Sequence, residues 1–181
     1  DAGPTTGNLV VGGSFEEPVC QGWNFNGACS TSPGSTVAAS PPGWTVVSGD
    51  VDWGTYQVEG HCQADCAYEG MQMLDTCGGT AGRIEQVVTG TTAGQEYVLT
   101  YQLNAHQGCG DNTKRMNTFV DGTLLVGESF KRSGNWADHQ QQWQTKGYSV
   151  VAGGPTITLA FESVSDSCGC MLLDDVQLIP A

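Results

Sequence analysis

Basic residues are scarce in this chain. Its 181 residues hold 6 Lys+Arg against 19 Asp+Glu, a formal net charge of −13. Binding to a nucleic-acid backbone or an anionic membrane needs a cationic face, so neither is an expected partner. Apolar runs of about 18 residues are missing, which excludes an expected membrane-spanning helix. No Asn-x-Ser/Thr triplet occurs, so N-glycosylation at that motif is excluded. No Cys-x-x-Cys knuckle occurs either. The short spacings are Cys62-x3-Cys66 and Cys168-x-Cys170, which argues against a zinc thiolate site. Charged residues make up only 14% of the chain, too few for a coiled coil, a charged helical bundle or a charge-rich disordered tail.

What is present is cysteine and glycine. Eight cysteines, Cys20, Cys29, Cys62, Cys66, Cys77, Cys109, Cys168 and Cys170, form an even set. Such a set reads as disulfides in an oxidising compartment. The chain opens at Asp1 with no basic segment followed by an apolar one. Together with the cysteines, this leads us to expect a removed signal peptide and a secreted or surface location.

The hydrophobic signal has period 2. Leu9 to Val11, Trp44 to Val47, Val51 to Trp53, Met71 to Asp75, Arg83 to Val88, Glu96 to Leu103, Met116 to Val120, Thr123 to Phe130, Gln142 to Val151, Thr156 to Glu162 and Met171 to Leu178 all read as strands. Tyr97, Leu99, Tyr101 and Leu103 share one face. About ten short antiparallel strands with turn signals between them predict an all-β jelly-roll sandwich, a single domain over 1–181 with a tail at 1–7. Asp121-Gly122 predicts a two-residue hairpin turn, which would set Arg115 opposite Glu128 and Arg132 opposite Asp111. Lys114 and Lys131 lie on the same hairpin. Cross-strand pairing on a solvated face is the expected role, with an anion site as the alternative. Trp44 and Trp143 lie inside strand-like blocks and read as core.

The blocks NLVVGGSFEEP, PPGWTVVSGDVDW, YEGMQMLD, GRIEQVV, GQEYVLTYQL and LLDDVQLIP, in this order, resemble two families. One is the bacterial choice-of-anchor C surface domains; the other is the domain of unknown function found in plant cell-wall proteins. The resemblance covers residues 7–179 and implies a galactose-binding-like jelly roll akin to carbohydrate-binding modules. Against that pattern, 18–43 and 54–68 are enlarged loops. The plant relatives imply a Cys109–Cys168 pair. We then expect Cys62–Cys66 and Cys20–Cys29 to staple the enlarged loops, leaving Cys77–Cys170.

The resemblance also implies a structural Ca²⁺ between the start and end of the domain, held by Glu16 or Glu17 and by Asp174 or Asp175. Alternation places Leu172, Asp174, Val176 and Leu178 on one face, so Asp174 needs a metal or backbone donors to offset its burial. For sugar binding, aromatic rings stack on C–H faces while polar groups take the hydroxyls. The candidates are Trp53, Tyr56, His61 and Tyr68 around one enlarged loop, with Trp136 and His139 in another. Ser30, Thr31, Ser32, Ser35, Thr36 and Ser40 are candidates for O-glycosylation. Catalysis is not expected. Glu16-Glu17 and Asp174-Asp175 are adjacent in strand-like sequence and would face opposite ways, and His61, His106 and His139 lack a nucleophile motif. The expected function is a secreted, non-catalytic domain that binds polysaccharide or belongs to a cell-wall matrix. The alternative is a structural subunit, packed against copies of itself in a glycosylated filament or sheath.

Overall fold

A computed structural model describes residues 7–17, 19, 30–31, 41–54, 67–106, 113–131, 142–164 and 170–181. The strands are β1 (Ser30–Thr31), β2 (Thr45–Ser48), β3 (Val51–Gly54), β4 (Met73–Asp75), β5 (Arg83–Thr89) and β6 (Glu96–Ala105). They continue with β7 (Thr113–Val120), β8 (Thr123–Lys131), β9 (Gln144–Val151), β10 (Thr156–Ser163) and β11 (Met171–Pro180). A six-stranded sheet runs β1-β3-β4-β11-β6-β9 and a five-stranded sheet β2-β5-β10-β7-β8, with every pair antiparallel. This is the expected β-sandwich. No helix among the described residues is long and apolar enough to cross a membrane.

Strict alternation in β6 buries Tyr97, Leu99, Tyr101 and Leu103 between the sheets, as the sequence predicts. An aromatic series crosses that core from Phe15 to Trp44, Phe161, Tyr101 and Tyr148, each ring centroid 5.2 to 6.0 Å from the next. Offset and edge-on pairs of this kind add about 0.5–1.5 kcal/mol each beyond their burial. Polar groups tie the sheets together where the series ends. Tyr148 and Tyr101 donate to Glu128 Oε1, Tyr101 shares a 3.0 Å bond with Thr118, and Lys146 Nζ lies 3.2 Å from Glu128 Oε2.

Two bulges change what alternation predicts. In the β7–β8 hairpin, Asp121 and Gly122 take the expected positive φ, 49° and 76°. A register shift at Thr118/Phe119 then sets Arg115 opposite Ser129 and Met116 opposite Glu128. The expected Arg115–Glu128 pair is therefore absent. The extra residue turns Glu128 inward to the tyrosines. Arg132 and Asp111 lie outside the described residues. In β11 a second shift between Asp174 and Gln177, with Asp175 at φ 45°, breaks the alternation. Val176 and Leu178 face the core, whereas Leu172 and Asp174 face the other side of the sheet. The expectation that all four share a face is corrected by that one left-handed residue.

The first and last described segments meet. Asn8 Oδ1 accepts from Val10 N and Leu178 N, and Leu9 N donates to Leu178 O. Leu9 to Val11 is not a strand. Val11 is instead held by the Gln86 amide, which donates to its carbonyl and accepts from its N–H. Gly7 is the one described residue of the predicted tail, and most of the two enlarged loops also lies outside the described residues. Within 18–43, β1 adds to the sheet edge through Ser30↔Asp52 and Thr31↔Val51.

Candidate functional site

The outward face of the six-stranded sheet collects the polar residues that the core rejects. Asp174, Gln102 and Thr145 stand in register across β11, β6 and β9. Thr145 Oγ1 donates to Gln102 Oε1 at 2.9 Å. Asp174 is fully buried, and the segment at 68–69 lies over it. Tyr68 N and Glu69 N donate to Asp174 Oδ2 at 2.9 and 3.1 Å, and Asp175 N donates to Oδ1 at 2.7 Å. Burial raises its pKa well above the usual carboxylate range, although those three N–H donors favour the ionised form. The sequence expectation that backbone donors could satisfy this residue is met by all three.

Glu16 belongs to the same region. Its Oε1 accepts from Met71 N at 2.9 Å and Gln72 N at 2.7 Å, while Gln72 Nε2 donates to Phe15 O. Neither Glu16 nor Glu17 lies in a strand: Phe15 is left-handed at φ 56°, and Glu17 is exposed. Asp175 Oδ1 accepts from Gln177 Nε2 at 2.6 Å. Glu69 neighbours Asp175. Partial burial, then the charges of Asp175 and Glu16, raise its pKa. Glu16 and Asp174 thus both bind the segment at 68–72. Both carboxyls accept backbone N–H donors. The one trio of potential ligand atoms within 4.8 Å among the described residues lies elsewhere, at Asp75, Cys77 and Cys170. The two sulfurs of that trio are joined in a disulfide, the expected Cys77–Cys170 bond.

Aromatic placement differs from the sequence reading. Trp53 is 1% exposed and packs in the core, so it is no platform for a ligand. Tyr68 is 45% exposed. Trp143 is partly exposed and stands outside the core cluster, contrary to its expected place in the interior. Tyr68 and Trp143 meet edge to face at 6.2 Å, beside the Asp174–Gln102–Thr145 row. The signal for Trp143 was its parity. It alternates with Thr145, Gly147 and Ser149, whereas Tyr148 and Val150 turn to the core. Glu69, Gln102 and Thr145 carried no comparable signal. Tyr56, His61, Trp136, His139, Ser32, Ser35, Thr36, Ser40, Cys20, Cys29, Cys62, Cys66, Cys109 and Cys168 lie outside the described residues. Ser30 and Thr31 are placed only as backbone of β1.

A second acid lies farther along the sheet. Asp75 is paired with Asp52 on β3 and Leu172 on β11. Its Oδ1 accepts from Cys77 N and Cys170 N, both at 3.1 Å. Burial pushes its pKa up to about 8, the two N–H donors oppose that, and Asp52 adds to it.

Fold and site together define a disulfide-bonded jelly-roll sandwich with a polar, aromatic-edged sheet face. Residues 8–179 match the family of proteins of unknown function DUF642, and the chain belongs to it. It is 29% identical over 177 residues to Halomucin of Haloquadratum walsbyi, covering 95% of this chain but 2% of that protein's length. Two solved structures share the fold. TmCBM61, determined with beta-1,4-galactotriose, has a TM-score of 0.52 at 11% identity over 96% of this chain and 99% of that one. The CBM22-1 xylan-binding domain of Paenibacillus barcinonensis Xyn10C has a TM-score of 0.51 at 18% identity over 84% and 93%.

Proposed function

We propose that this domain binds glycan outside the cell, on the outward face of the six-stranded sheet, and does no chemistry on it. The carrying observation is the Tyr68–Trp143 edge-to-face pair, both rings part-exposed, beside Gln102, Thr145, Glu69 and Asp175. Such a surface offers a ring for sugar C–H faces and hydroxyl and carboxylate groups for sugar hydroxyls, with buried Gln102 orienting Thr145. The names of the two fold neighbours support the reading. The Cys77–Cys170 bond supports an oxidising, extracellular setting, as does the surface-domain resemblance of the choice-of-anchor C blocks. A non-catalytic role accords with the acids. Glu69 and Asp175 lie in the same region, and Asp175 Oδ1 is engaged by the Gln177 amide.

The test is affinity electrophoresis and calorimetry against a panel of soluble polysaccharides. Trp143→Ala and Tyr68→Ala are each expected to weaken binding about tenfold, equivalent to about 1.4 kcal/mol, with an unchanged melting temperature. Wild-type protein that binds nothing in the panel would refute the proposal.

Calcium forms part of this proposal in a narrow form. Glu16 Oε1, Asp175 Oδ1 and both Asp174 oxygens already accept N–H donors, so a cation would draw on Glu69 and on the second oxygens of Glu16 and Asp175. A hard cation seeks such oxygens. Ca²⁺ is then expected to raise the melting temperature and EDTA to reverse the rise. Glu69→Gln would remove the response.

A further inference from the structure

We infer that the glycan site continues from Trp143 along β9 over Gly147 and takes an internal stretch of an uncharged polysaccharide; this rests on the reading proposed above. The outward positions of β9 are Thr145, Gly147 and Ser149, following Trp143. Gly147 sits mid-strand, is exposed and has no left-handed φ. A Cβ built there would meet one atom, Thr100 Cγ2, at 3.8 Å, an ordinary contact. Neither backbone nor packing calls for glycine, and glycine in a strand interior weakens the strand. Its effect is to keep the floor flat where a ligand would pass closely. That floor is formed by Thr100 and Gln177, which stand in one row with Gly147 across β9, β6 and β11. Asp175 orients the Gln177 amide. Trp143 to Gly147 spans about 13 Å at the rise of about 3.3 Å per residue, room for more than one sugar ring.

Charge selects the class of chain. The partly exposed carboxyls of Glu16, Glu69 and Asp175 border this face. Lys146, the basic residue among the described strands of this sheet, turns to Glu128 at 3.2 Å. Arg83, Lys114, Arg115 and Lys131 belong to the other sheet. A polyuronate would meet like charge, and among the described residues of this sheet no other basic side chain stands to receive it.

The experiment uses xyloglucan, β-1,4-galactan and xylan, short oligomers of each, and polygalacturonate in EDTA. Gly147→Val is expected to keep or raise the melting temperature, to weaken binding of the long neutral chain tenfold or more, and to affect the shortest oligomer little. Thr100→Phe raises a second obstacle on the same floor, should the first variant fold poorly. If wild type binds a neutral chain and both folded variants bind it equally well, the extension over Gly147 is wrong while the site reading stands. If polygalacturonate binds in EDTA as tightly as the neutral chains, the selection by charge is wrong. If wild type binds none of the panel, the site reading fails and this inference fails with it.

Discussion

Asp75 offers a measurable test of how this fold holds its acids. The unfolded carboxyl ionises near 3.8, whereas burial pushes the folded group up to about 8. The folded state therefore holds a proton that the unfolded state has already lost across that window. Stability attributable to this group is greatest below about pH 4, falls as pH rises, and levels off above about pH 8. The full window spans about four pH units, on the order of 5 kcal/mol at about 1.4 kcal/mol per unit. Asp75→Asn keeps an oxygen to accept from Cys77 N and Cys170 N but cannot ionise. Urea unfolding of wild type and Asp75→Asn at intervals from pH 4 to pH 9, with disulfides oxidised, gives the difference directly. We expect the variant to gain on wild type progressively, by several kcal/mol at the alkaline end and by nothing near pH 4. A difference that stays flat with pH, or a variant that loses on wild type as pH rises, would show that Asp75 is ionised in the fold and refute the reasoning.

Other outcomes follow from the same structure. Replacing Cys77 and Cys170 together by Ser opens a bond that closes 93 residues of sequence, and chemical unfolding should show a loss of up to about 4–5 kcal/mol on the chain-entropy account. Tyr148→Phe removes the bond to Glu128 and should cost about 1–2 kcal/mol. In wild type, ultraviolet titration should find Tyr148 resisting ionisation, since partial burial first, then Glu128, pushes it up to about 12. Its proton is then retained by the fold between about pH 10 and 12, so this group's contribution to stability should decline across that interval. Gly122→Val forces a β-branched residue into φ 76° and should lower stability by about 1–2 kcal/mol in the same assay.

The sandwich was readable wherever a strand obeys plain alternation. In β6 and β10 the inward residues declare themselves, and Asp121-Gly122 marks its turn because few residue pairs accept that backbone. Where a single residue is inserted, parity misleads. The β8 bulge carries Glu128 inward, and Asp175 reverses Asp174 relative to Val176. Neither event leaves a mark in hydrophobicity, because a bulge is stabilised by its partner strand rather than by its own composition. The site was legible in part for the same reason. Glu16 and Asp174 came from the order of the sequence blocks. Trp143 was misassigned because an aromatic in a strand-like block reads as core until the face it shares with Thr145 and Gly147 is considered. The places of Gln102 and Glu69 follow only from register and burial.

The joined ends have a mechanical meaning. Asn8 and Leu9 bind Leu178, and Gly7 lies against Pro180, so chain entering at residue 7 and chain leaving at 180 emerge side by side. A pull applied through both ends loads the Asn8 and Leu9 bonds together with the last β11–β6 pairs, Ile179↔Val98 and Pro180↔Tyr97. Force therefore enters the sandwich at one place, the end of the β11–β6 pairing, and the Asp174–Gln102–Thr145 row lies farther along those strands.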